Sequence, residues 1–245
     1  MTKLITFDFW NTIFDSSDGE ARNSMRLNAL ITEIKRNNRL SANFDFNAMF
    51  AEIFHHFNDV WIKQEKTPDS AGMVDYIAEK FNLKIPEAGR ELIIYAFDEA
   101  VLNYPPQLTE GFAEAIAELD KHFQLAIVCD TGFTSGKTLR TLLNTESILH
   151  FFEDFSFSDE TQVAKPNSRA FMTVLDKLGV KPDEAIHIGD NERTDIFGAK
   201  SLGMRAVHFT GDQTSKLIDP NVDNTAADFE SDNWKSITEW ILSNE

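Results

Sequence analysis

The sequence predicts an α/β fold: a doubly wound parallel sheet with an α-helical domain inserted after its first strand. Two observations predict it. After about residue 105, short apolar segments alternate with amphipathic helical segments, which is typical of parallel sheets. Between the first strand and that region, the apolar pattern is helical throughout. We therefore expect a core formed by residues 1–14 and 105–245 and a helical domain formed by residues 15–104.

The first apolar segment, residues 4–7, predicts a buried strand. It leads directly to a carboxylate, Asp8, and ends at the polar residues Asn11 and Thr12. Ligands of open α/β sheets bind in the crevice outside the carboxyl ends of the strands. Asp8 is therefore either a ligand-binding or catalytic carboxylate, or a residue that caps the following turn.

The predicted helical domain contains four amphipathic segments. Apolar side chains recur every three or four residues, as one helix face requires, over residues 27–34, 50–61, 74–81 and 92–101. Proline-containing turns at residues 67–69 and 85–86 separate the last three segments, and Tyr104-Pro105-Pro106 ends the last one. This arrangement predicts a small helical bundle.

The remaining chain predicts the rest of the sheet and its covering helices. Strands are expected at residues 125–129, 155–157, 185–188 and 206–209. Helices are expected at about residues 110–119, 137–143, 168–178, 194–202 and 234–242. Because strands and helices alternate, these strands should be parallel.

Composition disfavours some binding functions and indicates a cellular compartment. The chain has 23 basic and 40 acidic residues and a net charge of −17, which disfavours binding to nucleic acid or to an anionic membrane. The single cysteine, Cys129, cannot form an intrachain disulfide, which fits a reducing compartment. No signal peptide or apolar segment of membrane-spanning length is visible. We expect a cytoplasmic protein; the oligomeric state is not indicated.

Polar residues follow three of the predicted strands where each strand ends. Asp8 follows the first, Asp130-Thr131 the second, and Asp190-Asn191 a later one. The carboxyl ends of parallel strands lie along one edge of a sheet, so these residues should converge on one crevice.

The charges at that crevice suit a metal ion and a phosphate group. Asp8 and Asp190 would repel each other unless a cation lay between them, and carboxylate oxygens are typical ligands of Mg²⁺. Lys165, in a loop at the same edge, would add positive charge, and the hydroxyl of Thr131 could orient a bound phosphate.

Four stretches carry a resemblance to a known family. They are ITFDFWNT, IVCDTG, VAKPNSRAF and HIGDNERTDIFGAKSLGM, and they occur in the family's order. On these motifs the chain resembles the haloacid dehalogenase (HAD) superfamily, with a Rossmannoid core and a helical cap inserted after the first strand.

The resemblance implies catalytic roles for three residues. Asp8 would be the nucleophile that forms an aspartyl phosphate. Thr131 would bind and orient the phosphoryl group, and Lys165 would stabilise Asp8 and the developing negative charge. Gly132 and Asn191 are expected beside them as substrate-binding residues. Without the resemblance, Thr131 could be a simple turn hydroxyl and Lys165 a solvated loop charge.

The resemblance also implies a Mg²⁺ site. Its ligands would be Asp8, Asp190 and the backbone carbonyl of Trp10, with Asp195 binding through water or bracing the metal loop. On the residues alone, Asp195 could equally be an ordinary acid in the first turn of a helix.

Trp10 is a departure from the family pattern. Family phosphatases carry a second Asp two residues after the nucleophile, which protonates the leaving oxygen and later activates water. An indole cannot exchange a proton at neutral pH, and losing such a group lowers the rate by roughly 10² to 10⁴. Either the acid comes from elsewhere, with Asp15 and Asp130 as candidates, or the substrate needs none, or turnover is weak.

Three alternatives remain beside a Mg²⁺-dependent phosphatase of a small phosphorylated metabolite. Dehalogenases of the family also lack the second Asp, but they use no metal, and the presence of Asp190 and Asp195 argues against that activity. Phosphonate hydrolases keep Mg²⁺ and form a Schiff base with a cap lysine. A weakly active protein that binds a metal or ligand is the third alternative. The candidate cap lysines are Lys35, Lys63, Lys66, Lys80 and Lys84.

Overall fold

Six parallel strands form the centre of the molecule in a computed structural model, which describes residues 1–212 and 225–244. The strand order is β3-β2-β1-β4-β5-β6, and every neighbouring pair is parallel. The doubly wound α/β prediction is confirmed, although β6 was not predicted. The strands are β1 (Leu4–Phe7), β2 (Gln124–Cys129), β3 (Asp154–Phe157), β4 (Ala185–Gly189), β5 (Arg205–Phe209) and β6 (Phe229–Ser231).

Strand β1 lies at the point where the strand order reverses. Phe7 pairs with Ile127 of β2 on one side and with Ile188 of β4 on the other. Later strands are added outward in both directions from β1. A crevice opens at such a switch point, outside the carboxyl ends of the strands. Asp8, the first residue after β1, lies there.

Helices cover both faces of the sheet. One buried apolar cluster includes Phe7, Ile127 and Trp234, and a second, on the other face, includes Val128 and Phe171. Because the central strands β1, β2 and β4 are buried on both faces, each reads in the sequence as a largely apolar run. The covering helices are α5 (Phe112–Leu119), α6 (Gly136–Thr145), α7 (Ser158–Thr161), α8 (Ser168–Leu178), α9 (Phe197–Ser201) and α10 (Trp234–Ser243).

The helix predicted at residues 194–202 differs from expectation. It consists of a π-helical segment, Glu192–Ile196, followed by α9. The carbonyl of Asn191 accepts hydrogen bonds from the backbone N–H groups of both Asp195, at 2.9 Å, and Ile196, at 3.3 Å. Such wider turns occur frequently at functional sites, and this one fixes the position of Asp195.

The four helices predicted between β1 and the rest of the sheet are confirmed. They form a helical insert, residues 19–103, whose buried side chains make a third apolar cluster of their own. None of the helices in residues 1–212 and 225–244 has the length and apolarity that crossing a membrane requires. The helices of the insert are α1 (Gly19–Asn37), α2 (Phe46–Gln64), α3 (Ser70–Lys80) and α4 (Glu87–Asn103).

Candidate active site

A pocket of about 440 Å³ lies between the carboxyl ends of the central strands and the helical insert. Its floor comes from the loops that follow β1, β2 and β4, and its roof from α1 and α2. This volume is in the range typical of small-molecule sites. The predicted site residues that line it are Asp8, Trp10, Gly132, Lys165, Asp190, Asn191 and Asp195.

Lys165 connects two of the carboxylates at the floor. Its side chain is only 2% exposed, and its Nζ donates to Oδ1 of Asp8 and, at 2.6 Å, to Oδ1 of Asp195. Its backbone N–H donates to Oδ1 of Asp130 at 2.8 Å. The loop before α8 therefore holds a buried ammonium against the end of β1.

Asp8, Asp190 and Asp195 form a carboxylate cluster. Each offers one oxygen, and these oxygens lie within 4.8 Å of one another. Asp8 and Asp195 are buried, and Asp190 is half-buried. The side-chain amide of Asn11 donates to Oδ2 of Asp190 at 3.2 Å. Three carboxyl groups thus share one buried lysine.

This shortage of positive charge shows in the pKa values. Burial raises the pKa of Asp8 to about 7, against the opposing effect of Lys165. Burial and the neighbouring Asp8 and Asp195 raise the pKa of Asp190 well above its ordinary value. Burial would also raise the pKa of Asp195, but Lys165 and His187 outweigh it and hold that pKa below its usual range. Within this cluster, the nearby positive charge therefore only partly offsets the burial of Asp8 and Asp190.

Asp195 is fixed by contacts on several sides. Nε2 of His187 lies 3.1 Å from its Oδ1, and Nδ1 of the same ring lies 2.8 Å from Oγ1 of Thr6. The backbone N–H of Asn191 donates to Oδ2 of Asp195 at 2.9 Å. A Cβ on Gly189 would lie 2.3 Å from Cγ of Asp195, so only glycine fits there. His187 is fully buried, and its contact with Asp195 holds that carboxylate in place.

The cluster fits the Mg²⁺ ion that the fold family implies. Asp8 and Asp190 are close together and have raised pKa values, so a divalent cation between them would stabilise their ionised forms. Oxygen ligands of this kind are those Mg²⁺ prefers. Trp10 is half-buried and lines the same pocket, where its carbonyl could supply a third oxygen.

The structure does not bring Thr131 into the pocket. Its hydroxyl donates to Oδ1 of Asp159 at 2.9 Å and accepts from the backbone N–H of Asp159 at the same distance. Oγ of Ser158 lies 3.0 Å away, and Thr131 is 1% exposed. This geometry argues against the predicted phosphate-orienting role, because the hydroxyl ties the end of β2 to the end of β3. The preceding residue, Asp130, faces the pocket instead.

Of the two candidate replacements for the missing acid, Asp130 lines the pocket and Asp15 does not. Burial raises the pKa of Asp130 to about 6, with Lys165 opposing. However, its Oδ1 accepts from the backbone N–H of Lys165 and its Oδ2 accepts from Nε1 of Trp61 at 2.9 Å. Both hydrogen bonds favour the ionised carboxylate, so they oppose the use of Asp130 as a proton donor.

The carboxyl end of α2 is bound to the floor of the pocket. Trp61 reaches Asp130, and the guanidinium carbon of Arg193 lies 5.3 Å from the centre of the Trp61 ring. The carbonyl of Glu65 accepts from the N–H of Ala164 at 2.8 Å. These contacts could not be predicted from the sequence, because Trp61 reads only as one apolar residue of an amphipathic helix.

No lysine of the helical insert lines the pocket, among the residues that the structure describes. Two of the candidates pair with surface acids: Lys63 with Asp59 and Lys80 with Glu52. The geometry therefore gives no support to a Schiff-base mechanism that uses Lys35, Lys63, Lys66, Lys80 or Lys84.

Comparison with known proteins identifies a family and related structures to which the chain is similar. A family model described as haloacid dehalogenase-like hydrolase matches residues 2–203. Glyceraldehyde 3-phosphate phosphatase of Pyrococcus furiosus is 26% identical over 207 residues, which cover 84% of this chain and 80% of the relative. The same-named protein of Methanopyrus kandleri is 39% identical over 85 residues, but the match spans only 35% of this chain and 36% of that relative. A putative HAD hydrolase of Bacillus subtilis, solved bound to magnesium, superposes with a TM-score of 0.65 at 20% identity, covering 98% of each chain.

Proposed function

Because the chain belongs to the haloacid dehalogenase-like hydrolases, we propose that it is a Mg²⁺-dependent phosphatase of small phosphorylated metabolites. The observation that carries the proposal is the buried carboxylate cluster with Lys165 bonded to Asp8. Relatives named as phosphatases of glyceraldehyde 3-phosphate support the same class of substrate.

Asp8 is the proposed nucleophile. Lys165 holds Oδ1 of Asp8, which leaves Oδ2 free of that contact and able to attack phosphorus. The bond to the leaving oxygen then breaks and an aspartyl phosphate forms, which water hydrolyses to release phosphate and restore Asp8. Lys165 also faces the negative charge that develops on the phosphoryl oxygens.

Mg²⁺, held by Asp8, Asp190 and the carbonyl of Trp10, would reduce the repulsion between the anionic nucleophile and the phosphate. Asp195 does not need to bind the ion directly. Its contacts with Lys165, His187 and the backbone of Asn191 fit a role in bracing the lysine and the loop that carries Asp190.

Trp10 determines which phosphate esters are good substrates. The position two residues after Asp8 offers no acid, and Asp130 is held as a hydrogen-bond acceptor. Leaving groups that depart without protonation should therefore react fastest. The same observation favours a weakly active, metal-binding protein as the second candidate.

The helical insert is proposed to act as a cap, with domain boundaries at residues 15 and 104. It forms the roof of the pocket, and closing it would exclude water and set specificity. Gly132 lies under this roof, where an added Cβ would lie 3.3 Å from the ring of Phe57. We propose that Gly132 and Asn191, which line the pocket, contact the substrate.

Phosphate release from p-nitrophenyl phosphate, with and without Mg²⁺, tests the proposal. We expect Mg²⁺-dependent release that Asp8→Asn abolishes and Asp176→Asn leaves unchanged. Asp176 is a matched control because it is an exposed carboxylate on α8, outside the pocket. Retained activity in Asp8→Asn would remove Asp8 as the nucleophile.

Two further substrates separate the alternatives. Halide release from 2-chloropropionate without metal would indicate a dehalogenase, and carbon–phosphorus cleavage of phosphonoacetaldehyde would indicate a phosphonate hydrolase. Absence of turnover on all three substrates, together with calorimetric Mg²⁺ binding, would favour the metal-binding protein.

A further inference from the structure

Two arginines of helix α1, Arg22 and Arg26, line the roof of the pocket whose floor carries Asp8. They are four residues apart and therefore lie on the same face of the helix. Each is only 6% exposed. Buried arginines normally pair with a carboxylate or phosphate. The hydrogen bonds that these two arginines already make therefore show which of their N–H groups remain for a ligand.

The guanidinium group of Arg22 has N–H groups that remain for a ligand. Its Nη1 donates to the carbonyls of Ser17, at 2.7 Å, and Tyr104, at 2.9 Å, which anchors both ends of the helical insert. Its Nε and Nη2 donate to no acceptor in the described part of the chain. The guanidinium carbon lies 5.9 Å from the centre of the Trp10 ring, beside the position where the family's second acid would be.

Arg26 is held rigidly but is also incompletely satisfied. Its Nε donates to the carbonyl of Phe97 and its Nη1 to Oδ1 of Asn23, both at 3.1 Å. Nη2 has only a long contact of 3.5 Å to Oγ1 of Thr134. The guanidinium carbon lies 4.5 Å from the centre of the Phe133 ring, which fixes its orientation.

Neither arginine forms an ion pair within residues 1–212 and 225–244. Asp15 and Asp18 act on Arg22, and Asp98 on Arg26, only at longer range. Asp98 itself accepts hydrogen bonds from the residues that begin α6. Burial lowers the pKa of both arginines, and for Arg26 the neighbouring positive charge of Arg22 contributes to a value of about 9. Two like charges in a shielded pocket are unfavourable unless an anion joins them.

We propose that Arg22 and Arg26 bind a second anionic group of the substrate, a carboxylate or a second phosphate, while the floor of the pocket binds the phosphoryl group that is transferred. The physiological substrate is then a small phosphorylated acid or a bisphosphate, which differs from the phosphorylated aldehyde in the names of the relatives. This inference rests on the proposed phosphatase function. Carboxylates and phosphates share the oxygen geometry that the guanidinium fork matches.

A matched pair of substrates tests this selectivity. Phosphoglycolate carries a carboxylate where 2-hydroxyethyl phosphate carries a neutral hydroxymethyl group. We expect kcat/KM to be about tenfold or more higher for phosphoglycolate, mainly through a lower KM, because charged hydrogen bonds are strong in shielded sites. Ethylene glycol bisphosphate, in a third arm, distinguishes a second phosphate from a carboxylate.

Three variants locate the effect. Arg22→Gln and Arg26→Gln should each move the ratio of the two kcat/KM values toward one. Arg36→Gln should leave the ratio unchanged, because Arg36 is an exposed residue of the same helix that pairs with Glu33 at 2.8 Å. An unchanged ratio in folded Arg22→Gln and Arg26→Gln chains, checked by circular dichroism, would overturn the proposal.

A binding measurement separates this proposal from the proposed function. Calorimetry of the full-length Asp8→Asn chain with Mg²⁺ compares phosphoglycolate with 2-hydroxyethyl phosphate without needing turnover or an arginine variant. Tighter binding of phosphoglycolate supports the proposal even if no ester is hydrolysed. Equal binding, or no binding of either, overturns it, whereas hydrolysis of p-nitrophenyl phosphate by the unchanged chain would still support the phosphatase.

Discussion

Mg²⁺ should bind this chain more tightly as the pH rises from 6 to 8, because the ion must displace protons from the carboxylate cluster. Burial raises the pKa of Asp8 to about 7. A group with that pKa is about one-tenth ionised at pH 6 and about nine-tenths ionised at pH 8. The apparent affinity for Mg²⁺ should therefore increase about tenfold over this range. The raised pKa of Asp190 would make the increase steeper.

The same pKa values determine whether a rise in pH stabilises or destabilises the folded chain. Without Mg²⁺, the folded chain holds a proton on Asp8 more tightly than the unfolded chain does. That contribution to stability is therefore present at low pH and is lost as the pH rises from about 4 toward 7. Mg²⁺ should oppose this loss, so the increase in Tm that it produces should be larger at pH 8 than at pH 6.

Thermal denaturation at pH 6, 7 and 8 over a range of Mg²⁺ concentrations measures the apparent affinity without depending on activity. Asp190→Asn should abolish most of the pH-dependent increase, and Asp176→Asn should retain it. Comparing the two variants also separates binding at the cluster from non-specific binding of Mg²⁺ to a chain with a net charge of −17. Equal stabilisation at pH 6 and pH 8, or equal stabilisation of Asp190→Asn and the unchanged chain, would refute the reasoning.

Two substitutions test the roles of tryptophans in the pocket. Trp10→Asp places a carboxyl group two residues after Asp8, and should raise kcat/KM for alkyl phosphates by up to about 10² while changing that for aryl phosphates much less. An equal change for both would show that proton donation does not limit the reaction. Trp61→Phe removes the donor to Asp130, so the pKa of Asp130 should rise above about 6 and amide exchange at the end of α2 should become faster. Unchanged exchange there would show that this bond does not hold α2 to the core.

The strands and the convergence of their carboxyl ends could be predicted from sequence because they follow from simple regularities. Buried parallel strands are apolar on both faces, and their ends must share one edge of the sheet. This was enough to bring Asp8, Lys165 and Asp190 to one place. Strand β6 was missed because Phe229–Ser231 is only three residues long and has no apolar run.

Sequence reasoning is weakest where the direction of one side chain matters. Asp130 and Thr131 both follow β2, and a sequence does not tell which of two consecutive residues points into the crevice. The hydroxyl of Thr131 is drawn to Ser158 and Asp159 at the end of β3. Arg22 was missed for a related reason: its role depends on how the helical insert sits over the sheet, and α1 by itself reads as an ordinary amphipathic helix.

The distribution of charge explains how such an acidic chain could bind the proposed anionic substrate. A net charge of −17 repels phosphorylated metabolites at long range. At physiological ionic strength, however, exposed charges are screened beyond about 8 Å. Inside the pocket the field depends on shielded cations: Lys165 at the floor, and Arg22 and Arg26 at the roof. Affinity should therefore respond strongly to these three residues and weakly to reversal of a surface charge, even though the surface charges are far more numerous.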